Sequence, residues 1–202
     1  ADEFHGRLVG SEMCIRDSHR RQGNLCSRWR HSLHHPATAE SQIVSQKFPV
    51  VEKTIAELRA ALETFEVTSV ELTRSYIERI FTYDSDGIKL NSIVELNADA
   101  LAEAAQSDLR RSMRKTLGPL DGIPFTAKDS YKVEGMTVAA GSPAFENLVA
   151  TSDAYSIKLL RDAGCVFIGL TNMPPMANGG MQRGLYGRAE SPYNENFLTS
   201  AF

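Results

Sequence analysis

The stretch Gly118–Ser142, GPLDGIPFTAKDSYKVEGMTVAAGS, decides the fold that we expect for this chain. It opens with two turn signals, Gly-Pro and Asp-Gly, and Pro124 then restricts the residue before it to an extended backbone. From Phe125 to Tyr131 the residues alternate with a period of two, which is typical of a β-strand. The sequence therefore predicts a strand that carries a single lysine, Lys128, near its centre.

Lys128 is the candidate catalytic residue of this strand. On a strand, Thr126, Lys128 and Ser130 point to one face, whereas Ala127 and Asp129 point to the other. A lone lysine in such a place is most often a solvated charge, because lysine is rarely fully buried. The spacing alone favours that ordinary role, and only the surrounding motifs favour a chemical one.

A helix and a second strand are predicted downstream of the lysine. Thr151 or Ser152 is expected to cap the helix at its start, and Gly164 is a natural stop at its end. The apolar run Cys165–Leu170 follows, and such a run is typical of a strand that is buried on both faces. Strand, helix and strand in this order predict a βαβ unit within an α/β fold.

Two helices and a short strand are predicted upstream. Thr54–Glu57 and Thr68–Glu71 are capping boxes that each open an amphipathic helix, so the two helices are expected to form an αα-hairpin. The run Leu90–Leu96 predicts a short strand. Asn97 is expected to cap a further helix that covers residues 98–115.

The composition is that of an ordinary globular protein. The chain has 202 residues, of which 42% are hydrophobic and 23% charged, and its formal net charge is −3. These values give no reason to expect a nucleic-acid partner or a membrane surface. No apolar run approaches the roughly 20 residues that are needed to span a bilayer. We therefore expect a cytoplasmic protein with neither a metal nor a cofactor.

The first 40 residues differ from the rest, because they hold all five histidines, Cys14, Cys26 and Trp29. A metal site would use these cysteines and histidines, although there is no CxxC pair. A basic arm for nucleic acid would use the arginines, which nearby acidic residues dilute. The third interpretation, which we favour, rests on Gly10–Ser18, a segment similar to the peptide produced when sequencing-adapter DNA is translated in error. Residues 1–40 are then a non-native or disordered leader, and residues 41–202 form the domain.

The order of four motifs carries a family resemblance. GPLDGIPFTAKDSY, AAGSPAF, GLTNM and SPYN follow one another as in the amidase signature family, which the chain resembles from about Thr54 to Asn194. That family hydrolyses carboxamides, or transfers amide ammonia, with a Ser–cis-Ser–Lys triad. The resemblance implies that Lys128 is the catalytic lysine and that the fold is the N-terminal part of the amidase signature fold, a mixed sheet flanked by helices. Gly141 and Ser142, in a loop of small residues, are the candidates for substrate contact.

The chain also departs from the family pattern. Pro174-Pro175 stands where the family often has a Ser-Glu pair, which suggests a subgroup nearer to the fungal-type amidases. The Gly-Ser-Ser-Gly and Gly-Gly-Ser segments that carry the two catalytic serines of the family do not occur in the sequence. The resemblance therefore implies an amidase truncated before both serines and inactive in this form. Such a cut is expected to leave the edge of the strand Val166–Leu170 unpaired.

Amide hydrolysis explains why the family needs a lysine. An amide carbonyl is a poor electrophile, so the reaction needs an activated nucleophile and a stabilised oxyanion. The lysine must be neutral to accept a proton, and burial favours the neutral form. The expected substrate is a small-molecule amide.

Two other functions stay open at this point. One is that of a protein like the A subunit of glutamyl-tRNA amidotransferase, which supplies ammonia for tRNA-dependent amide formation. The other is that of a noncatalytic α/β binding protein, in which Lys128 holds an anionic ligand. A reading frame that continues past Phe202 into the two serine segments would favour the enzymes.

Overall fold

The computed structural model describes residues 48–178, 184–194, 196 and 199. The three interpretations of residues 1–40 therefore lie outside the described residues. The helices are α1 (Ile55–Glu63), α2 (Ser69–Ile80), α3 (Ala100–Ser112) and α4 (Tyr155–Asp162), and the strands are β1 (Ile93–Leu96), β2 (Pro124–Lys128) and β3 (Val166–Thr171). Within the described ranges, none of the helices is long and apolar enough to cross a bilayer.

Both predicted capping boxes are present at the starts of α1 and α2. At α2, the Thr68 hydroxyl accepts a hydrogen bond from the Glu71 amide at 3.1 Å, and the Thr68 amide donates to the Glu71 carboxylate at 2.9 Å. Each box satisfies donors that a helix start otherwise leaves free. The apolar stripes of the two helices then pack together with Ile123, the residue before β2.

The three strands form one mixed sheet in the order β1-β3-β2. β2 pairs with β3 in parallel, from Pro124 opposite Val166 to Lys128 opposite Thr171, and α4 lies between them in the chain. The predicted βαβ unit and α/β fold are therefore confirmed. β1 pairs with β3 antiparallel on its other side. The expectation of an unpaired edge on the strand 166–170 is wrong, because β3 has a hydrogen-bonded neighbour on each side.

Gly169 makes the close approach of β1 possible. A Cβ atom at this position would lie 2.3 Å from the carbonyl oxygen of Glu95, which is closer than real Cβ contacts allow. The pairing of β2 with β3 also shifts register at Gly169, because Phe125 pairs with Phe167 and Thr126 with Gly169, so strict alternation along β3 is interrupted. Phe167 and Leu170 consequently pack in one core cluster, whereas Val166 packs in another with α3.

Two predicted helix caps are wrong. The helix α3 begins later than predicted, at Ala100 with Asp99 as its N-cap, and Asn97 lies in the turn before it. The Asn97 side chain accepts from the Asp99 amide at 3.0 Å within this turn and donates to the Phe167 carbonyl at 2.8 Å. At α4 the N-cap is Ala154, which has no capping side chain. At this residue the main-chain amide donates to the Lys132 carbonyl at 2.8 Å, which joins the start of α4 to the chain after β2.

Asp121, in the turn before β2, is the centre of a buried ion pair. Its side chain is fully buried and lies 2.6 Å from the guanidinium of Arg110, which also donates through Nε at 3.1 Å. Burial pushes the pKa of Asp121 upward, but the hydrogen bonds from Arg110 and from the Leu117 amide outweigh it and hold the pKa below its ordinary value. The pair therefore anchors the turn of the GPLDGIP motif to α3.

Replacing Thr68 with alanine is expected to lower the free energy of unfolding by about 1 kcal/mol, because the first amides of α2 lose an acceptor. Urea unfolding measures this change. Thr116→Ala, in an exposed loop, is the matched control and is expected to stay within about 0.5 kcal/mol of the parent. Equal losses in the two variants would contradict a capping role for Thr68.

Replacing Asp121 with asparagine is expected to cost about 2–3 kcal/mol at pH 7, because Arg110 loses its charged partner while staying partly buried. A carboxylate whose pKa is depressed in the folded state contributes stability above its unfolded pKa and loses it as the pH falls through the folded pKa. The parent and Asp121→Asn should therefore differ less in their free energies of unfolding below about pH 4. Asp86→Asn, at an exposed turn, should show neither effect in the same urea titrations.

Candidate functional site

The carboxyl ends of β2 and β3 lie side by side at one edge of the sheet. Lys128, the last residue of β2, pairs with Thr171, and Thr171 also pairs with Ile93 at the start of β1. In open α/β sheets, ligands bind at the carboxyl ends of parallel strands, where loops leave the sheet. The candidate lysine therefore stands where the fold is expected to hold a site.

The two faces predicted for the lysine strand are confirmed. Lys128 is exposed, together with Thr126 and Ser130, whereas Ala127 and Asp129 on the opposite face are buried. β2 ends earlier than the predicted strand, because the chain turns after Lys128 and the Tyr131 amide donates back to the Lys128 carbonyl at 2.8 Å. The ammonium group of Lys128 is thus presented at the end of a strand that is fixed by pairing.

Asp129 is a residue of this edge to which sequence reasoning gave no role. Its side chain is fully buried, and its carboxylate accepts hydrogen bonds from the Gly141 amide at 2.7 Å and the Ala139 amide at 3.3 Å. The Tyr186 hydroxyl lies 3.5 Å from the same carboxylate. The available signal was the position of Asp129 on the inward face, directly after the lysine. A charged residue there needs buried partners.

The environment of Asp129 shifts its pKa. Burial raises the pKa of Asp129 because it disfavours the charged form, although the amides of Gly141 and Ala139 act in the opposite direction. Burial also raises the pKa of Tyr186. The Asp129 carboxyl and the Tyr186 hydroxyl therefore hold their protons more tightly than they would in water. Asp129 directly follows Lys128 in the chain.

Gly141 is a structural member of the loop after β2. Its φ is +67°, and a Cβ atom there would lie 2.4 Å from the Met173 carbonyl oxygen. Its amide donates to Asp129, and its carbonyl accepts from the Leu185 amide at 2.9 Å. Ser142 is half-buried, and its hydroxyl accepts from the Ala144 amide at 3.3 Å. Substrate contact by Gly141 or Ser142 stays a prediction, and the polar backbone groups of Gly141 are engaged within the protein.

Two asparagines bring the segment Tyr186-Gly187 to the same edge. The Asn91 amide group donates to the Tyr186 carbonyl at 2.8 Å, and the Asn172 amide group donates to the Gly187 carbonyl at 3.2 Å. Asn172 also donates to the Asn91 carbonyl at 2.9 Å, which joins the two anchors. From the sequence, GLTNM, which contains Asn172, is recognisable as a motif, but its connection with Tyr186-Gly187 is not.

The segments described above lie within the match of one known family. A sequence model of the family described as Amidase matches residues 71–200, which is more than half of the chain. The chain belongs to the amidase family. The match includes the lysine strand, the small-residue loop and the Tyr-Gly segment.

Curated relatives of this amidase-family chain cover most of it. It is 39% identical over 145 residues to the A subunit of the glutamyl-tRNA(Gln) amidotransferase of Thioalkalivibrio sulfidiphilus, a match that covers 71% of the chain and 29% of the relative. The same protein of Methylococcus capsulatus is 36% identical over 144 residues, which is 70% of the chain and 29% of the relative. The chain thus spans about three tenths of the length of the curated relatives it matches.

Solved amidase structures share the fold. The peptide amidase from Stenotrophomonas maltophilia superimposes with a TM-score of 0.68 at 37% identity, over 73% of this chain and 31% of that one. An amidase family protein from Bacillus anthracis gives a TM-score of 0.68 at 32% identity, over 75% of this chain and 31% of its own. The α/β fold with its mixed sheet is therefore the fold of a part of these larger enzymes.

Replacing Gly141 with alanine is expected to be more destabilising than replacing Gly135 with alanine. Both glycines have positive φ, at +67° and +82°, so both variants acquire backbone strain of about 1–2 kcal/mol. Only Gly141→Ala adds a collision, because a Cβ at Gly135 has no neighbour within 4 Å. Gly141→Ala should therefore lose a further 1–3 kcal/mol, roughly the cost of overpacking.

The melting temperatures and urea midpoints of the two variants measure the difference. Equal destabilisation by Gly135→Ala and Gly141→Ala would contradict the close packing of the loop against Met173.

Proposed function

We propose that the full-length protein containing this chain hydrolyses carboxamides, with Lys128 as the catalytic base. One observation carries the proposal: Lys128 is an exposed residue that ends a paired strand at the carboxyl edge of the sheet. Membership of the amidase family supports the reaction class, because the lysine lies within the matched region.

The chemistry assigns Lys128 a defined task. A serine hydroxyl is a weak nucleophile until a base accepts its proton, and a lysine does this only in its neutral form. Segments of the full-length protein that cover the exposed face of β2 would supply the burial that favours this form. In our proposal those segments also carry the two serines that the family uses, and the 202-residue chain alone does not turn over an amide.

Replacing Lys128 with methionine in the full-length protein tests the role of the lysine. Methionine keeps much of the unbranched shape but cannot accept a proton, so kcat/KM for ammonia release from a peptide amide should fall by about 10²–10⁴. The melting temperature should not fall, because methionine fills a similar space and brings no charge that has to be buried.

Lys132→Met is the matched control, since Lys132 is a nearby exposed lysine whose ammonium group donates only to the Ser152 hydroxyl among the described residues. It should keep the parent activity. Parent activity in Lys128→Met would overturn the proposed base.

A second candidate function is glutamine-dependent amide transfer on a tRNA. The observation that favours it is the identity of 39% to the A subunit of a glutamyl-tRNA(Gln) amidotransferase. The likeness to a peptide amidase, at 37% identity, favours a free-standing hydrolase to a similar degree. Ammonia release from a peptide amide by the purified protein alone supports the hydrolase, whereas release only from glutamine and only with partner proteins supports the transferase.

The noncatalytic alternative predicts a different outcome. Binding of an anionic ligand that Lys128→Met abolishes, without turnover of any amide by the full-length protein, would favour it over both enzymes.

A further inference from the structure

We infer that Asp129 is a positioning residue of the candidate site, which fixes the strand end of Lys128 by holding the loop of residues 139–141. Its carboxylate is fully buried directly beside the lysine in the chain, and it accepts from two amides of that loop. The main chain adds to this, because the Ala140 amide donates to the Asp129 carbonyl at 3.2 Å. Three successive amides of one loop thus bind a single residue.

The backbone of the loop is shaped for this task. Ala140 and Gly141 have φ values of +47° and +67°, in the left-handed region. The amides of Ala139 and Gly141 point to the Asp129 carboxylate, whereas the Ala140 amide between them points to the main-chain carbonyl of Asp129. These hydrogen bonds offset the cost of a positive φ at Ala140, a residue that rarely adopts this backbone conformation.

The loop that binds Asp129 is also hydrogen-bonded to two further segments. The Ala140 carbonyl accepts from the Met176 amide at 2.8 Å, and the Gly141 carbonyl accepts from the Leu185 amide at 2.9 Å. Both donors belong to the chain that leaves β3. One buried carboxylate therefore organises the segments that surround the end of the lysine strand.

A chain of side-chain contacts connects Asp129 to Glu95 of β1. Thr137 donates through its hydroxyl to the Glu95 carboxylate at 2.5 Å and lies 3.4 Å from the Tyr186 hydroxyl. Tyr186 in turn is within 3.5 Å of Asp129. Its single hydroxyl proton is offered to two acceptors, Thr137 and Asp129, because the Thr137 proton is already engaged with Glu95. We therefore expect Tyr186 to contribute less than the loop amides to holding the Asp129 carboxylate in place.

The backbone test compares Asp129→Asn with Asp86→Asn in the full-length protein by amide hydrogen exchange. Asparagine keeps the size of the side chain but replaces one acceptor oxygen with a donor that faces an amide. Exchange at Gly141, Met176 and Leu185 should rise at least tenfold in Asp129→Asn, while exchange within α2 stays at the parent rate. Asp86 lies in an exposed turn, and its variant should match the parent throughout.

The kinetic test rests on the proposed amide hydrolysis, whereas the exchange test does not. Under conditions in which both proteins are folded, Asp129→Asn should lower kcat at least tenfold and change KM by less than threefold. The reason is that the described partners of Asp129 are protein groups, so substrate binding is affected less than the placement of the base. A rise in KM with unchanged kcat would overturn the inference.

Tyr186→Phe keeps the inference testable if Asp129→Asn does not fold. It removes one hydroxyl, so exchange at Gly141 should rise about two- to fivefold, and Tyr155→Phe, at an exposed tyrosine, should have no effect. Parent exchange rates at Gly141 in both Asp129→Asn and Tyr186→Phe would overturn the positioning role. Faster exchange in a protein without amide hydrolysis would instead contradict the proposed function alone.

Discussion

The pairing of β3 on both sides decides where the polar groups of the candidate site stand. Parallel pairing with β2 sets Lys128 opposite Thr171, and antiparallel pairing with β1 brings the start of that strand to the same edge. The second pairing needs a residue without a side chain, because a Cβ at Gly169 would meet the Glu95 carbonyl oxygen at 2.3 Å. Glu95 of β1 accepts a hydrogen bond from the Thr137 hydroxyl, in the loop after β2.

Buried aspartates bind segments that enter or leave the strands of this sheet. Asp84, Asp121 and Asp129 are each at most 7% exposed, and each accepts a hydrogen bond from a backbone amide of a nearby loop or strand start. A buried carboxylate is costly unless its oxygens are satisfied, so each one selects the backbone conformation that presents amides to it. Asp121 additionally has the charge of Arg110, and its pKa falls, whereas the pKa of Asp129 rises because burial dominates.

The chain corresponds to one part of larger amidase-family proteins. The chain spans about three tenths of the relatives' length, and the superimposed structures are covered to the same extent. The region that they share contains a paired sheet, its flanking helices and a lysine presented at the carboxyl edge. In our proposal this region is the scaffold for one catalytic group. The other groups would come from segments that are distant in the sequence, which is common in enzymes whose sites are built on loops.

The sequence alone determined the capping boxes of α1 and α2, the order of strands and helices, and the face of β2 on which Lys128 lies. Capping and period-two alternation depend on neighbours within a few residues, so they can be predicted without knowing the fold. Tertiary structure decided the central place of β3, the start of α3 beyond Asn97 and the engagement of Asp129 with the loop at Gly141. These depend on partners far apart in the chain, and no local pattern specifies which distant backbone group a strand edge or a buried carboxylate will meet.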